Sequence, residues 1–126
     1  MYNKQIIKQV NVDCYGCCGD LNNAELLIKI IEDAALKTGA RVIGKSVQSY
    51  PLHGLTAVVF LAESHILVST YPEIKYAVLE VFMCGETLSP EECAKIIIDF
   101  LKPREVVNSH IVHMISKNAP QESTSE

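Results

Sequence analysis

Three groups of residues in this 126-residue sequence have types and spacings that chemistry uses. The first is Cys14, Cys17 and Cys18, in which Cys14-x-x-Cys17 has the spacing of half a structural zinc site. No second Cys-x-x-Cys completes it. Redox use of the pair wants the motif to open a helix, and here the helical pattern starts several residues later. Small residues filling a turn account for the cluster, and no metal is expected. The second group is His110 and His113, a pair that on an edge strand is ordinarily solvated or packed. The third is Glu63-Ser64-His65 at the end of an apolar run, with Cys84-Gly85 beginning 20 residues after the serine. A carboxylate, a hydroxyl and an imidazole in succession suit nucleophilic or acid–base work. A cysteine that ends an apolar strand before a glycine is a candidate partly exposed thiol. Spacing alone leaves this group either a polar turn or a site between two strand ends. No glycine-rich phosphate loop, Gly-x-Ser-x-Gly elbow or His-Glu-x-x-His helix is present.

The elements that must position these residues read as follows. Lys4 to Cys14 is a strand, and Cys14 to Asp20 a loop marked by two glycines. Asn22 and Glu25 have capping-box spacing, and Leu26, Leu27, Ile30, Ile31, Ala34 and Ala35 follow at helical intervals. That predicts a helix from about Asn23 to Thr38, closed by Gly39. Strands follow at Arg41–Ser49, Leu55–Ala62, His65–Thr70 and Lys75–Cys84, with a tight join at Glu63. Ser89 as N-cap, Pro90 at the first turn and Glu92 open a second helix bearing Ile96, Ile97 and Phe100, which Pro103 stops. Val106 to Ile115 is a last strand. The order, written β-α-β-β-β-α-β, has no β-α-β-α-β run, which argues against a doubly wound parallel sheet. The fold class expected is α+β: a two-layer sandwich, an antiparallel sheet with two helices on one face. Residues 1–115 form a single domain, with 116–126 a polar tail. Strands apolar on both sides leave the second sheet face in need of a partner, which predicts dimerisation through the sheet or its edges.

Composition narrows the class. Fifteen acidic residues against eleven basic ones give a net charge of −4, with no basic run, which argues against nucleic acid and anionic membrane as partners. The apolar stretch Thr56–Ala62 is far short of the ~20 residues that span a bilayer. Met1–Gln5 leads straight into a strand without a signal-peptide core, so a soluble, cytoplasmic protein is expected. Five cysteines, an odd number, do not read as a disulfide framework in a reducing compartment.

Leu61-Ala62-Glu63-Ser64-His65-Ile66, then Ser69-Thr70-Tyr71-Pro72-Glu73, then Phe82-Met83-Cys84-Gly85-Glu86 together resemble the prokaryotic S-adenosylmethionine decarboxylase proenzymes. Gly54 and the apolar strand after it match as well, and the similarity runs from roughly Val10 to Val112. The resemblance implies self-cleavage between Glu63 and Ser64 into pieces 1–63 and 64–126. The Ser64 hydroxyl attacks the preceding carbonyl to give an ester, β-elimination releases the chain ending at Glu63, and the dehydroalanine left behind hydrolyses to a pyruvoyl group. That ketone forms a Schiff base with a substrate amine and accepts electrons as CO2 leaves, so no external cofactor is implied. Cys84 matches the proton donor to the α-carbon, a task that a thiol pKa of about 8.5 suits. Thr56 falls where a hydroxyl assists the acyl shift, Tyr50 at an aromatic position associated with adenine, and Glu73 at the carboxylate of a Trp-Pro-Glu segment in which Tyr71 replaces the tryptophan.

One departure bears on processing. Ser69 stands where the family has a proton-accepting histidine. The elimination then needs another acceptor. His65 points to the opposite face from its neighbour Ser64, and His53, His110 or His113 are the other imidazoles. The implied activity is decarboxylation of S-adenosylmethionine for spermidine synthesis by a homodimer of processed units. Alternatives are the same chemistry on arginine or ornithine, and an unprocessed, non-catalytic partner subunit.

Overall fold

The computed structural model describes residues 6–62, 64–85 and 87–115. In chain order these form β1 (Ile6–Tyr15), α1 (Ala24–Lys37), β2 (Val42–Ser49), β3 (Leu55–Leu61), β4 (Ser64–Tyr71), a short turn of 3-10 helix (Pro72–Ile74), β5 (Tyr76–Cys84), α2 (Pro90–Leu101) and β6 (Glu105–Met114). Four strands, rather than the three of the string written from the sequence, lie between the helices. Leu61 pairs with Ser64, so β3 and β4 are separate strands of one hairpin. Glu63 itself and the expected tail 116–126 lie outside the described residues.

The strands form one sheet in the order β2-β3-β4-β5-β1-β6, every neighbour antiparallel. β1 is thus inserted between β5 and β6, an arrangement no local sequence signal announces. Both helices pack on the same face, α1 over β2 and β3, α2 over β1 and β5. Alternation along each strand sends one set of side chains to this face. Val10, Val12, Ala57, Val59, Ile66, Val68, Leu79, Val81 and Met83 meet Leu27, Ile31, Ile97 and Leu101 there and form the core. Burying each larger aliphatic side chain stabilises the fold by about 1.5–3 kcal/mol.

Local chemistry starts both helices. Ser89 Oγ accepts the Glu92 N–H at 3.2 Å, with Pro90 as the first helical residue, as the sequence predicts. For α1 the cap moves one residue: Asn23 Oδ1 accepts the Leu26 N–H at 3.0 Å. Asn22 is drawn elsewhere, its Oδ1 accepting the Gly54 N–H at 2.9 Å. Either asparagine suits a helix start, and the long-range bond to Gly54 decides between them. Leu26, counted on the apolar stripe, is exposed.

Gly54 sets where β3 begins. Its φ is +90°, and a Cβ there would come within 2.5 Å of the Thr70 carbonyl oxygen. Thr70 is itself buried; its Oγ1 donates to the Leu21 carbonyl at 2.8 Å and accepts the Leu55 N–H at 3.1 Å. The start of β3, the end of β4 and the loop before α1 are tied together at this point.

Candidate active site

Ser64 is the first residue of β4, directly after the hairpin turn. Its Oγ is buried and has no hydrogen-bond partner among the described residues. It lies beside a cavity of about 330 Å³ on the helix side, between Arg41, Leu61, Thr87 and Leu88. Buried hydroxyls are normally bonded, which sets this one apart. The Ala62 N–H donates to the Arg41 carbonyl at 2.9 Å and anchors the turn on one side.

Cys84 ends β5, the strand next to β4. His65 pairs with Phe82, so Cys84 sits at the same end of the sheet as Ser64. It is 2% exposed, yet it lies outside the core cluster that holds its neighbour Met83. Alternation turns it to the face without helices. The serine and the thiol share a sheet end but point to opposite faces.

That open face carries an array which spacing along the chain did not reveal. His65 Nε2 meets Glu80 Oε2 at 2.8 Å, and its ring stacks on Phe82 with centroids 4.9 Å apart. Phe82 touches the His113 ring at 5.4 Å. His113 Nε2 donates to Gln9 Oε1 at 2.7 Å. Ile7 pairs with Cys84 on one side and His113 on the other, so the thiol and this imidazole stand in one cross-strand row. Glu80, Phe82 and Gln9 escaped the sequence reading because they sit in ordinary strand positions, and only the register brings them to the histidines. Of the imidazoles considered as acceptors, His65 and His113 are at the Cys84 end of this face. His53 is in the exposed turn before β3, and His110 meets Glu91 at 3.2 Å on the helix side of β6.

Thr56, Ser69 and Tyr50 form a second group. Thr56 pairs with Ser69 across the hairpin, their hydroxyl oxygens 2.9 Å apart, and the Tyr50 hydroxyl is 2.9 Å from Thr56 Oγ1. Ser69 is five residues from Ser64 on one extended strand, a separation of about 16 Å. Within one chain this hydroxyl chain therefore does not reach Ser64. Tyr71 is exposed at the same far end, its ring 5.6 Å from Tyr76, whose hydroxyl donates to Asp13. Glu73 is exposed on the short turn that follows.

Burial pushes the Cys14 thiol up to about 12, with Cys17 and Asp13 adding to it, and burial alone pushes Cys93 up to about 12. Cys17 is raised for the same first reason, and its Sγ donates to the Cys14 carbonyl at 3.6 Å. Cys14 in β1, Cys17 in the loop after it and Cys93 in α2 are buried thiols; Cys18 is exposed. Among the described residues no three His, Cys, Asp or Glu side chains gather in a metal-binding group.

The sequence profile of the S-adenosylmethionine decarboxylase family matches residues 8–113, which takes in every one of these positions. The chain belongs to that family. A relative named S-adenosylmethionine decarboxylase proenzyme from Caldicellulosiruptor saccharolyticus is 34% identical over 105 residues, 82% of this chain and 85% of that one. Another of the same name from Methanococcus aeolicus is 39% identical over 101 residues, 79% of this chain and 86% of its own. The crystal structure of the adenosylmethionine decarboxylase from Aquifex aeolicus superposes with a TM-score of 0.79 at 27% identity, covering 96% of this chain and 98% of that one. Family membership thus spans both ends of the open face and the hairpin turn. No described helix is long and apolar enough to cross a membrane.

Proposed function

We propose that the chain is a pyruvoyl-dependent S-adenosylmethionine decarboxylase that matures by cutting itself between Glu63 and Ser64. The observation that carries this is the Ser64 hydroxyl: buried, unengaged among the described residues, and on the first residue after a hairpin turn. Its Oγ bonds to the Glu63 carbonyl carbon as the Glu63–Ser64 C–N bond breaks, leaving an ester. Loss of the Ser64 α-proton and cleavage of its Cβ–O bond then release Glu63 as a carboxylate. Water replaces the nitrogen, which departs as ammonia, and a ketone heads residues 64–126. His65 and His113 are the imidazoles at this sheet end available to take the α-proton in place of a histidine at Ser69.

The pyruvoyl group so made supplies an electrophilic carbonyl and an electron sink for loss of CO2 from an amino acid. The chain's residues do the rest. Cutting beside Ser64 frees that end of β4 from the turn, so its carbonyl is no longer bound to the helix-side face and can swing toward Cys84. Cys84 then returns a proton to the substrate α-carbon. Tyr50 offers a flat ring for a nucleobase and Glu73 a carboxylate for a hydroxyl or amine. The product would be an aminopropyl donor for spermidine synthesis.

The functional unit in this reading is a homodimer stacked through the open sheet face. Thr56 and Ser69 are about 16 Å along the strand from Ser64, and antiparallel stacking about a two-fold axis sets that end of each copy over the Ser64–Cys84 end of the other. Arginine or ornithine as substrate would require an acidic group for the distal amine. Asp13 and Glu80 on the open face are engaged by Tyr76 and His65, and it is the family match that keeps the reading with adenosylmethionine.

Intact mass of the purified protein tests it. Two pieces meeting at Glu63–Ser64, the second with a blocked N-terminus, are expected, together with CO2 release from S-adenosylmethionine in preference to arginine and ornithine. A single uncut chain overturns the proposal and leaves the partner-subunit alternative.

A further inference from the structure

The two edges of the sheet are built differently. Strand β2 is interrupted by a register shift between Val42 and Gly44 and carries Lys45, both devices that discourage pairing with another chain. Strand β6 has neither. It runs ten residues without a Lys, Arg or Pro. Among the described residues no strand pairs with its outer edge. The helices pack mainly over β1, β2, β3 and β5, and α2 meets β6 through the Glu91–His110 contact at 3.2 Å. Val107, Val112 and Met114 are 48%, 62% and 59% exposed. A long, unguarded apolar edge is a template for a further strand.

The sequence of β6 also says which strand fits. Centred on Ser109, it is nearly its own complement when run antiparallel. Val106 then faces Val112, Val107 faces Ile111, Asn108 faces His110, and Glu105 faces His113. Each pair keeps both members on one face of a continued sheet, since partners differ by an even number of residues. Apolar meets apolar, and the single acidic residue meets an imidazole. Centring on His110 instead would set Val107 against His113 and Asn108 against Val112, and would lose that match.

We infer that β6 is an interface for a second copy of this chain, paired strand to strand about a two-fold axis through Ser109. The contact is isologous, closes on itself, and joins two six-stranded sheets into one of twelve strands. It goes beyond the face-to-face dimer proposed above and uses different residues. With both contacts present the assembly holds four chains.

Val106 and Val112 lie on the helix side of β6, away from the stacked face, so they test the edge alone. Val106→Glu and Val112→Lys, each made singly, are expected to halve the mass measured by light scattering, with circular dichroism verifying the fold. Combined in one chain, they put opposite charges face to face twice across the axis, and the mass should return. Ser109→Cys should give a disulfide-linked dimer under oxidised glutathione, beyond any seen with the native thiols. An unchanged mass for both single variants overturns the edge contact. A halved mass that the double variant fails to restore, with no Ser109→Cys cross-link, overturns the Ser109-centred register. Leu67→Glu, on the open face, separates the two contacts: if it leaves the mass unchanged while the edge variants halve it, the stacking reading fails and the edge stands.

Discussion

Ser64 and Ser69 stand five residues apart on one strand and live under opposite conditions. The odd spacing sends them to different faces of the sheet. Ser69 on the open face is 2.9 Å from the Thr56 hydroxyl, which is in turn 2.9 Å from that of Tyr50, so it joins a satisfied chain. Ser64 faces the helix side with its oxygen buried and unbonded among the described residues. Leaving a buried hydroxyl unsatisfied costs about 1–3 kcal/mol, which the rest of the fold must offset. The lesson is that the same side chain is satisfied on one face of a strand and left unpaired on the other. The strand displays both cases, and Thr70, which bonds inward to Leu21 and Leu55, is a further satisfied hydroxyl.

Removing the unpaired hydroxyl should have the largest effect. Ser64→Ala is expected to give a single chain of full length with no decarboxylase activity and undiminished stability, as read by intact mass and thermal denaturation. If it still yields two pieces, the contrast between the serines collapses. Next comes the thiol at the same sheet end. Cys84→Ala should leave cleavage intact and lower the decarboxylation rate by about 10²–10⁴-fold, the usual contribution of one proton-transfer group. A split between processing on a gel and turnover in a CO2 assay is the signature to look for.

Giving the paired serine a basic side chain sharpens the comparison from the other side. Ser69→His should accelerate cleavage by roughly tenfold, a modest share of what a positioned base contributes. An unchanged rate would mean that His65 or His113 already does the work. The inward hydroxyl supplies the structural control. Thr70→Val strands both the Leu55 N–H and the Leu21 carbonyl, and should cost about 2 kcal/mol in denaturant unfolding while leaving the chemistry of correctly folded protein unaltered.

A further effect is a pH dependence carried by the buried thiols. Cys14 and Cys93 are raised from the ordinary thiol range to about 12 in the folded chain. A raised pKa means that burial favours the protonated form, so their contribution is complete below the unfolded thiol pKa of about 8.5. As pH climbs above that value the unfolded thiols ionise first, and stability should decline steadily toward pH 12. Denaturation midpoints measured from pH 8 to 11 should fall less steeply in Cys93→Ala than in the native chain, whatever the packing loss does to the absolute values.

Much of this was legible along the chain because it is local. Ser89, Pro90 and Glu92 start α2 through contacts within one helical turn, and the apolar runs of β3 and β4 declare themselves. Glu63-Ser64 and Cys84 stood out through the family resemblance they carry, where spacing alone left either a polar turn or a site. What depends on distant pairing was not legible. Either Asn22 or Asn23 could cap α1, and the bond from Asn22 to Gly54, 32 residues away, made the choice. The His65–Phe82–His113 array needs β4, β5, β1 and β6 in one register, and His113 meets Gln9 across a separation of 104 residues.

The sequence alone therefore determined most of the elements and the α+β class, since propensity, capping and hydrophobic period act within a few residues of each other. Only the tertiary structure decided that β1 enters between β5 and β6, that Ser64 and Cys84 share an end but not a face, and that Ser69 and Thr56 lie a strand's length from Ser64. Sheet register is set by long-range packing of the apolar rows against α1 and α2, and no short stretch of chain contains that information.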